Sequence, residues 1–534
     1  MIGALQKQAV LVVLDGWGIA PPSQGNAITL AKTPNFNALK DEFPNTALLA
    51  SGAAVGLKAD EPGNSEAGHL NLGAGRLVLQ EKMWITAAIH DGSFFQNQVL
   101  REVMNEVRDS RSKLHLVGLL SDGHSAHSEP DHLEALLVMC KKMRVPEVYL
   151  HLFIDGRDSP PKCALPLIRK LELLLDNLGI GRIATISGRY YGMDRAGNWE
   201  RTGLVYEAMV MGSGPQAFTA YEAVRESYRR GITDEFILPT IITAKDGTST
   251  YTRNAGVQNI SDKNGVIFFN LRSDRARQMV KAFVQREDCK SDSYNCRLFK
   301  SFKKLHFVTL SDFGADLPVR RAFVPPHIEN CLPRYLSKYS SVRQLYVAER
   351  EKFAHVTYFF HGGEAKPELR ETRLRVHSAR VATFDRVPAM SASEITQVVA
   401  TAIEKAVYNL VVVNYANADM LGHTGMLRPT VKAVEVLDTE LGKLAKTATA
   451  AGAALFITAD HGNAEQMRDL LTGKTDTSHT TNPVPFILVD KRFSKKSVSS
   501  DLGEASLRDV APTILDVLDI PQPREMSGTS ILRR

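Results

Sequence analysis

Ala9-Val10-Leu11-Val12-Val13-Leu14 is a continuous apolar, β-branched run with no polar alternation. A strand with one wet face alternates and a strand covered on both faces does not, so residues 8–14 are predicted to form a buried strand of a parallel sheet. Asp15 follows at once, then a loop opening Gly16-Trp17-Gly18, then a helix predicted from Thr33 to Phe43, where Pro34 suits a first helical position. The same order returns near the C-terminus. Leu410 to Tyr415 leads to Asp419, and Ala453 to Thr458 leads to Asp460. Functional groups of open parallel sheets lie beyond the carboxyl ends of the strands, so these three acids are expected to converge on one crevice.

Between these ends a second alternation runs through the middle of the chain. Leu114–Leu119 is a predicted strand followed by a helix around His132–Met143, and Glu147–Phe153 is followed by a helix around Leu165–Asn177. Arg182–Ile186 and Gly265–Asn270 are further predicted strands. The pattern predicts an α/β protein in which residues 86–325 form a second α/β domain inserted into a first one made of 1–85 and 326–534. The polar, serine-punctuated stretch 288–302 is expected to be a surface excursion.

Composition narrows the classes. With 44% hydrophobic and 23% charged residues the chain has the balance of a globular protein with a large core, and no apolar run approaches the ~20 residues of a membrane span. The first eight residues lack the basic start and apolar segment of an export signal. Cys140, Cys163, Cys289, Cys296 and Cys331 are odd in number and lack zinc-type spacing, so reduced thiols in a cytoplasmic protein are expected. A formal charge of +6 is compatible with nucleic acid, but the basic residues are dispersed and not interleaved with aromatics, so no nucleic-acid partner is expected.

The candidate chemistry starts at Pro62-Gly63-Asn64-Ser65-Glu66-Ala67-Gly68-His69. A serine hydroxyl is a feeble nucleophile until a base or a metal ion removes its proton. Asp419 and His423, four apart, share one face of a helical turn, while Asp460-His461 ends a strand and His479 sits in a following loop. Such mixed oxygen and imidazole donors suit Mn²⁺, Co²⁺ or Zn²⁺, whereas an all-oxygen set suits Mg²⁺. Singly, each acid is more often a turn former or cap; that reading weakens when they occur together at equivalent strand ends, where two ions about 4 Å apart could stabilise the entering and leaving oxygens of phosphoryl transfer. A Ser-His-Asp esterase is the weaker alternative, because Ala67 breaks the Gly-x-Ser-x-Gly pattern and no strand precedes Ser65.

The middle region carries Asp155-Gly156-Arg157-Asp158, then Arg189 through Arg195, then Arg272-Ser273-Asp274-Arg275, each after a predicted strand. Guanidinium groups grip phosphate and carboxylate through paired hydrogen bonds. Surface pairing with Asp158, Asp194 and Asp274 explains any one arginine equally well, but recurrence at corresponding strand ends favours a small multi-anionic ligand. His127, in Asp122-Gly123-His124-Ser125-Ala126-His127, is a further acid or base candidate.

On Asp15-Gly16-Trp17-Gly18, Gly63-Asn64-Ser65-Glu66-Ala67-Gly68-His69, Asp155-Gly156-Arg157-Asp158 and Ala459-Asp460-His461-Gly462-Asn463, the sequence resembles the cofactor-independent (2,3-bisphosphoglycerate-independent) phosphoglycerate mutases of the alkaline phosphatase superfamily along essentially its whole length. The resemblance implies an alkaline-phosphatase-like metal-binding domain with an inserted substrate domain, and interconversion of 3- and 2-phosphoglycerate through a phosphoserine. It implies that Asp419, His423 and His479 bind one divalent ion and Asp15, Ser65, Asp460 and His461 another, most readily Mn²⁺ or Co²⁺, with Mg²⁺ or Zn²⁺ as alternatives. It further implies Ser65 as nucleophile, Asp158 or a nearby base for the substrate hydroxyls, and His127, Arg157, Asp158, Arg189, Arg195, Arg272, Arg275 and Lys352 as substrate contacts. The turn before His127 is one residue longer than usual in that family, which leaves His124 as the rival to His127. A cytoplasmic monomer acting in glycolysis and gluconeogenesis is expected, without membrane partner or 2,3-bisphosphoglycerate. A phosphatase or another phosphomutase on the same metal scaffold and an inactive anion- or nucleic-acid-binding protein are the competing expectations.

Overall fold

The apolar run becomes β1 (Ala9–Leu14), each residue of which is buried. β1 is the fourth strand of a seven-stranded sheet that reads, edge to edge, β12 (Glu371–Val376), β11 (Gln344–Glu349), β13 (Leu410–Tyr415), β1, β14 (Ala454–Thr458), β15 (Val484–Val489), β2 (Asn45–Leu48). The first five run parallel; β15 runs antiparallel to β14, and β2 antiparallel to β15. Ala9 stands level with both Leu410 and Ala454, so β1, β13 and β14 release their chains at the same height. The computed structural model describes residues 7–243, 259–285, 287, 289, 295–325, 327–381, 383–469, 472–497 and 505–532.

A second sheet reads β10 (Arg320–Arg321), β9 (His306–Thr309), β8 (Gly265–Phe268), β3 (Lys113–Leu120), β4 (Glu147–Ile154), β5 (Arg182–Gly188), β7 (Thr240–Ile242), β6 (Gln216–Ala217). Its central strands β8, β3, β4 and β5 are parallel. Period-two alternation sends Leu114 and Leu116 of β3 into one apolar core and Val117 and Leu119 into another on the opposite face. The chain divides into two compact units, Met1–Gln80 with His327–Arg534 and Glu81–Pro326, each holding one sheet.

The helix expected at 33–43 spans Pro34–Glu42, with Pro34 in its first turn. Its free N–H groups at Asn35 and Phe36 donate to the Asp438 carboxylate, 3.2 and 2.7 Å away, a cap supplied from a distant segment. The other expected helices form at Pro130–Lys142 and Ala164–Leu178.

Two expectations need correction. Cys140, Cys163 and Cys331 are free thiols, but Cys289 is disulfide-bonded, so the chain does not hold five reduced cysteines; a count says nothing about which sulfurs a fold brings within bonding reach. The stretch 288–302 is also not wholly a surface feature. Residues 288 and 290–294 lie outside the described residues, while Phe299 is fully buried against Trp199 and Tyr206. Among the described residues no helix is long and apolar enough to cross a membrane.

Candidate active site

Ser65 opens the helix Ser65–Ala74, whose N-cap Asn64 accepts the Ala67 N–H at 2.8 Å. Gly68 lets this helix press on the end of β14: a Cβ there would stand 2.5 Å from the Asp460 carbonyl oxygen. The serine is thereby held among the strand ends. Its Oγ lies 2.9 Å from His461 Nε2, 3.3 Å from Asp15 Oδ1 and 2.9 Å from Lys352 Nζ. Asp15 directly follows β1, Asp460 follows β14, Asp419 sits in the short helix Asn417–Gly422 after β13, and Lys352 in a turn after β11. Four adjacent strands thus deliver four charged groups to one edge.

Two groups of three donors form there. Asp419, His423 and His479 make one, and Asp15, Asp460 and His461 the other, with ligand-type atoms within 4.8 Å of one another in each. In the first, His423 Nδ1 faces the Thr477 carbonyl at 2.8 Å and His479 Nδ1 faces the Gly63 carbonyl at 2.9 Å. A carbonyl only accepts, so each Nδ1 carries the proton and each Nε2 presents a lone pair. Those two Nε2 atoms stand 3.0 Å apart, 3.3 and 3.2 Å from Asp419 Oδ1. Three electron-pair donors aimed at one point require a cation: a proton, which is why Asp419 raises the His423 pKa, or a metal ion. In the second group the buried Asp460 Oδ2 lies 3.2 Å from His69 Nδ1 and 3.6 Å from His461 Nε2, and His461 Nε2 lies 3.5 Å from Asp15 Oδ1.

Burial sets the protonation of this cluster. Asp15 is pushed up to about 7 by burial and by Asp460, against the pull of Lys352. His461 is driven down to about 4 by burial. For Lys352 burial works against the charge, but Asp15, Asp419 and Asp460 outweigh it and hold the ammonium above its ordinary range. Lys352 Nζ donates to Asp15 Oδ1 at 2.6 Å and to Asp419 Oδ2 at 2.7 Å. The geometry disfavours a catalytic triad, because His461 Nδ1 faces the Gly462 carbonyl at 3.3 Å and not a carboxylate.

The arginines gather at the carboxyl ends of β4, β5 and β8 in the second unit. Arg189, buried directly after β5, donates to Asp155 Oδ1 at 2.6 Å and Asp158 Oδ2 at 2.7 Å. Asp158 also accepts the Ser125 hydroxyl at 2.7 Å, and these hydrogen bonds overcome burial to hold its carboxyl below the usual range. Asp274 is the second pivot, 2.8 Å from Arg195, 3.6 Å from Arg272 and 3.9 Å from His127 Nδ1. Arg275 is lowered by burial and by the charges of Arg195, Arg189 and Arg157, while the exposed Arg157 leans on Glu235 at 3.4 Å. His127 is buried beside these groups and driven down to about 4 by burial and Arg189. His124 instead pairs with Asp122 and is 78% exposed, so the structure brings His127, and not His124, to the arginines.

Sequence reasoning missed three neighbours. Asn414 donates to Asp15 Oδ2 at 2.7 Å and to His69 Nε2 at 3.1 Å, and His69 Nδ1 donates to the Ser65 carbonyl at 2.9 Å. Asp155 anchors Arg189. All three occupy or flank strand ends or the Ser65 helix, which was the available signal.

Comparison with known proteins completes the picture. A family model described as the Metalloenzyme superfamily matches residues 7–522. The chain is 45% identical over 529 residues to the 2,3-bisphosphoglycerate-independent phosphoglycerate mutase of Moorella thermoacetica, covering 99% of each. It is 44% identical to that of Clostridium acetobutylicum, covering 98% of this chain and 99% of the relative. A solved structure of Leishmania mexicana phosphoglycerate mutase at low cobalt concentration superposes with a TM-score of 0.72 at 30% identity, covering 100% of this chain and 99% of that one. With its strand-end donor groups and full-length relatives, the chain belongs to the 2,3-bisphosphoglycerate-independent phosphoglycerate mutases of the Metalloenzyme superfamily.

Proposed function

We propose that the chain, an isomerase that interconverts 3-phosphoglycerate and 2-phosphoglycerate, does so through a phosphoserine at Ser65. The observation that carries this reading is the meeting, at Ser65 Oγ, of a helix N-terminus, the Lys352 ammonium and the donor groups around Asp15 and Asp419. Asp419, His423 and His479 would hold one divalent cation, and Asp15, Ser65, Asp460 and His461 a second, with Mn²⁺ or Co²⁺ preferred and Mg²⁺ or Zn²⁺ as alternatives. Bound there, such ions supply Lewis-acid charge to phosphate oxygens and lower the pKa of the serine hydroxyl.

The protein's own groups divide the remaining work. Lys352 places a fixed positive charge beside Ser65 Oγ, matched to an incoming phosphate. The helix beginning at Ser65 adds its positive end. In the second unit Arg157, Arg189, Arg195, Arg272 and Arg275 bind and orient the glycerate anion, and His127 offers a neutral ring to it. Asp158, ionised, accepts a proton from the substrate hydroxyl that takes the phosphate back. Phosphate moves from one glycerate oxygen to Ser65 as the serine proton passes to that oxygen, and returns to the other glycerate oxygen as the proton taken by Asp158 goes back to restore the serine hydroxyl, so 2,3-bisphosphoglycerate is not required. We place this activity in the cytoplasm, in glycolysis and gluconeogenesis, with the protein acting as a monomer and without nucleic-acid or membrane partners.

The test supplies each isomer without bisphosphoglycerate, with and without chelator, and follows the other isomer against free phosphate. The expected result is isomer conversion that chelation abolishes and that Ser65→Ala eliminates together with the phosphoenzyme. Free phosphate as the main product would replace this reading with a phosphatase, and full turnover in Ser65→Ala would reject it.

A further inference from the structure

Three loops that carry the donor atoms meet at a carboxylate that belongs to neither donor group. Glu465 is 1% exposed. Its Oε2 accepts the Gly18 N–H at 3.1 Å and the Asn463 N–H at 2.8 Å. Its Oε1 accepts the Asn482 side-chain amide at 3.0 Å and the Thr480 hydroxyl. Gly18 lies in the loop of Asp15, Asn463 in that of Asp460 and His461, and Thr480 directly follows His479. One side chain therefore ties together the loops of both donor groups.

The match between this carboxylate and its surroundings is specific. All four partners are donors, and an ionised carboxylate is acceptor-only on both oxygens, so every bond is satisfied without a counter-ion. An amide of the same shape keeps one acceptor oxygen and turns its NH₂ toward groups that now donate, so those groups must reorient or lose their bond. The surrounding backbone has also made room: a Cβ at Gly18 would stand 2.3 Å from Glu465 Cδ, and one at Gly462 would stand 2.3 Å from Glu465 Oε1. The same loops are interlaced by Thr480 N–H to the Gly462 carbonyl at 3.0 Å and Gly63 N–H to the Thr480 carbonyl at 3.2 Å, which links the clamp to the Ser65 segment.

We infer that Glu465 is a positioning residue that fixes the relative placement of the two donor groups and thereby their hold on the cations. This inference rests on the metal reading above. Outer partners of metal ligands typically change affinity about 10–100-fold when replaced, and Glu465→Gln is the near-isosteric replacement that leaves one acceptor oxygen where the carboxylate has two. The experiment titrates Mn²⁺ into the metal-free full-length chain, reading free ion by electron paramagnetic resonance at a temperature where circular dichroism shows each variant folded. Glu465→Gln is expected to weaken Mn²⁺ binding about 10–100-fold, with kcat reduced and KM for phosphoglycerate within about twofold at saturating Mn²⁺, because no substrate contact is touched.

Should Glu465→Gln fail to fold, Asn482→Ala, which removes one donor and leaves the carboxylate in place, carries the test with an expected loss of a few-fold in Mn²⁺ affinity. Wild-type uptake of Mn²⁺ with unchanged affinity in the folded variants would overturn this inference alone. A wild-type chain that takes up no Mn²⁺ would overturn the metal reading and this inference with it.

Discussion

Replacing Lys352 by methionine, which keeps the unbranched stem one atom shorter and removes the charge, isolates the electrostatics of the Ser65 site. The ammonium lies 2.6 Å from Asp15 Oδ1 and 2.7 Å from Asp419 Oδ2, with all three residues buried. At an effective dielectric of about 20 each contact is worth roughly 6 kcal/mol of Coulomb energy, but desolvation takes back most of it, and breaking a buried pair by removing one partner costs about 3–5 kcal/mol. Asp15 already sits at about 7, so it relieves the lost charge by taking a proton, and the lower end of that range is expected. At ~2–4 °C per kcal/mol, the metal-free protein should lose roughly 6–12 °C in Tm. Bound divalent cations would supply the missing positive charge, so the loss should shrink in saturating Mn²⁺. Scanning calorimetry of both forms, in chelator and in Mn²⁺, reads the difference directly. An equal fall in Tm under both conditions, or none in chelator, would refute this account of the site.

Other perturbations test other parts of the molecule. Arg189→Lys keeps a charge that can still face Asp155 and Asp158, which Nη1 alone holds, but it loses the planar fork that grips a carboxylate or phosphate in pairs, so it should raise KM at least tenfold or release free phosphate during turnover; unchanged steady-state kinetics would remove Arg189 from the substrate site. Gly68→Ala forces a Cβ against the Asp460 carbonyl and should destabilise the fold by about 1–3 kcal/mol in urea unfolding, with a matching drop in kcat; a neutral result would mean the helix moves freely away from β14. His115 and His151, hydrogen-bonded to each other across β3 and β4, are both held neutral by burial, His115 down at about 3. A depressed histidine stabilises the fold fully above the unfolded value of 6.5 and loses that contribution as pH falls below it, by up to ~1.4 kcal/mol per pH unit for each ring. Stability of the second unit should therefore fall from pH 6.5 downward, and His151→Asn should flatten that slope; a profile flat between pH 6.5 and 4.5 in the wild type would contradict it.

The edge of the first sheet that carries the donor groups was legible where burial leaves a mark on composition. The runs ending at Leu14, Tyr415 and Thr458 are apolar on both faces, and that alone places Asp15, Asp419 and Asp460 at strand ends. Gln344–Glu349 carries no such mark, since Gln344, Tyr346 and Glu349 interrupt the run, yet all six residues are buried. Lys352 lies just beyond it, so the residue appeared in the sequence only through family resemblance. Its burial is paid for by carboxylates that arrive from residues 15 and 419, a coincidence of tertiary structure that no local window contains. Asn414 and Glu465 escaped for the same reason: each is an ordinary polar residue until the partners it satisfies are known. The choice between His124 and His127 likewise turned on exposure, which the spacing of a loop does not encode.

The position of β1 between β13 and β14 has a consequence for how the chain must be made. On a ribosome moving at about 5–20 residues per second, the apolar strand at the start waits for partners roughly 400 residues downstream, a delay of about 20–80 s. The whole second unit emerges and can fold within that interval. Throughout it, Ala9–Leu14 remains an uncharged, β-branched segment with both edges open, the composition most prone to pairing with another chain. Charged substitutions in this first strand should therefore trade stability of the finished sheet for solubility during synthesis.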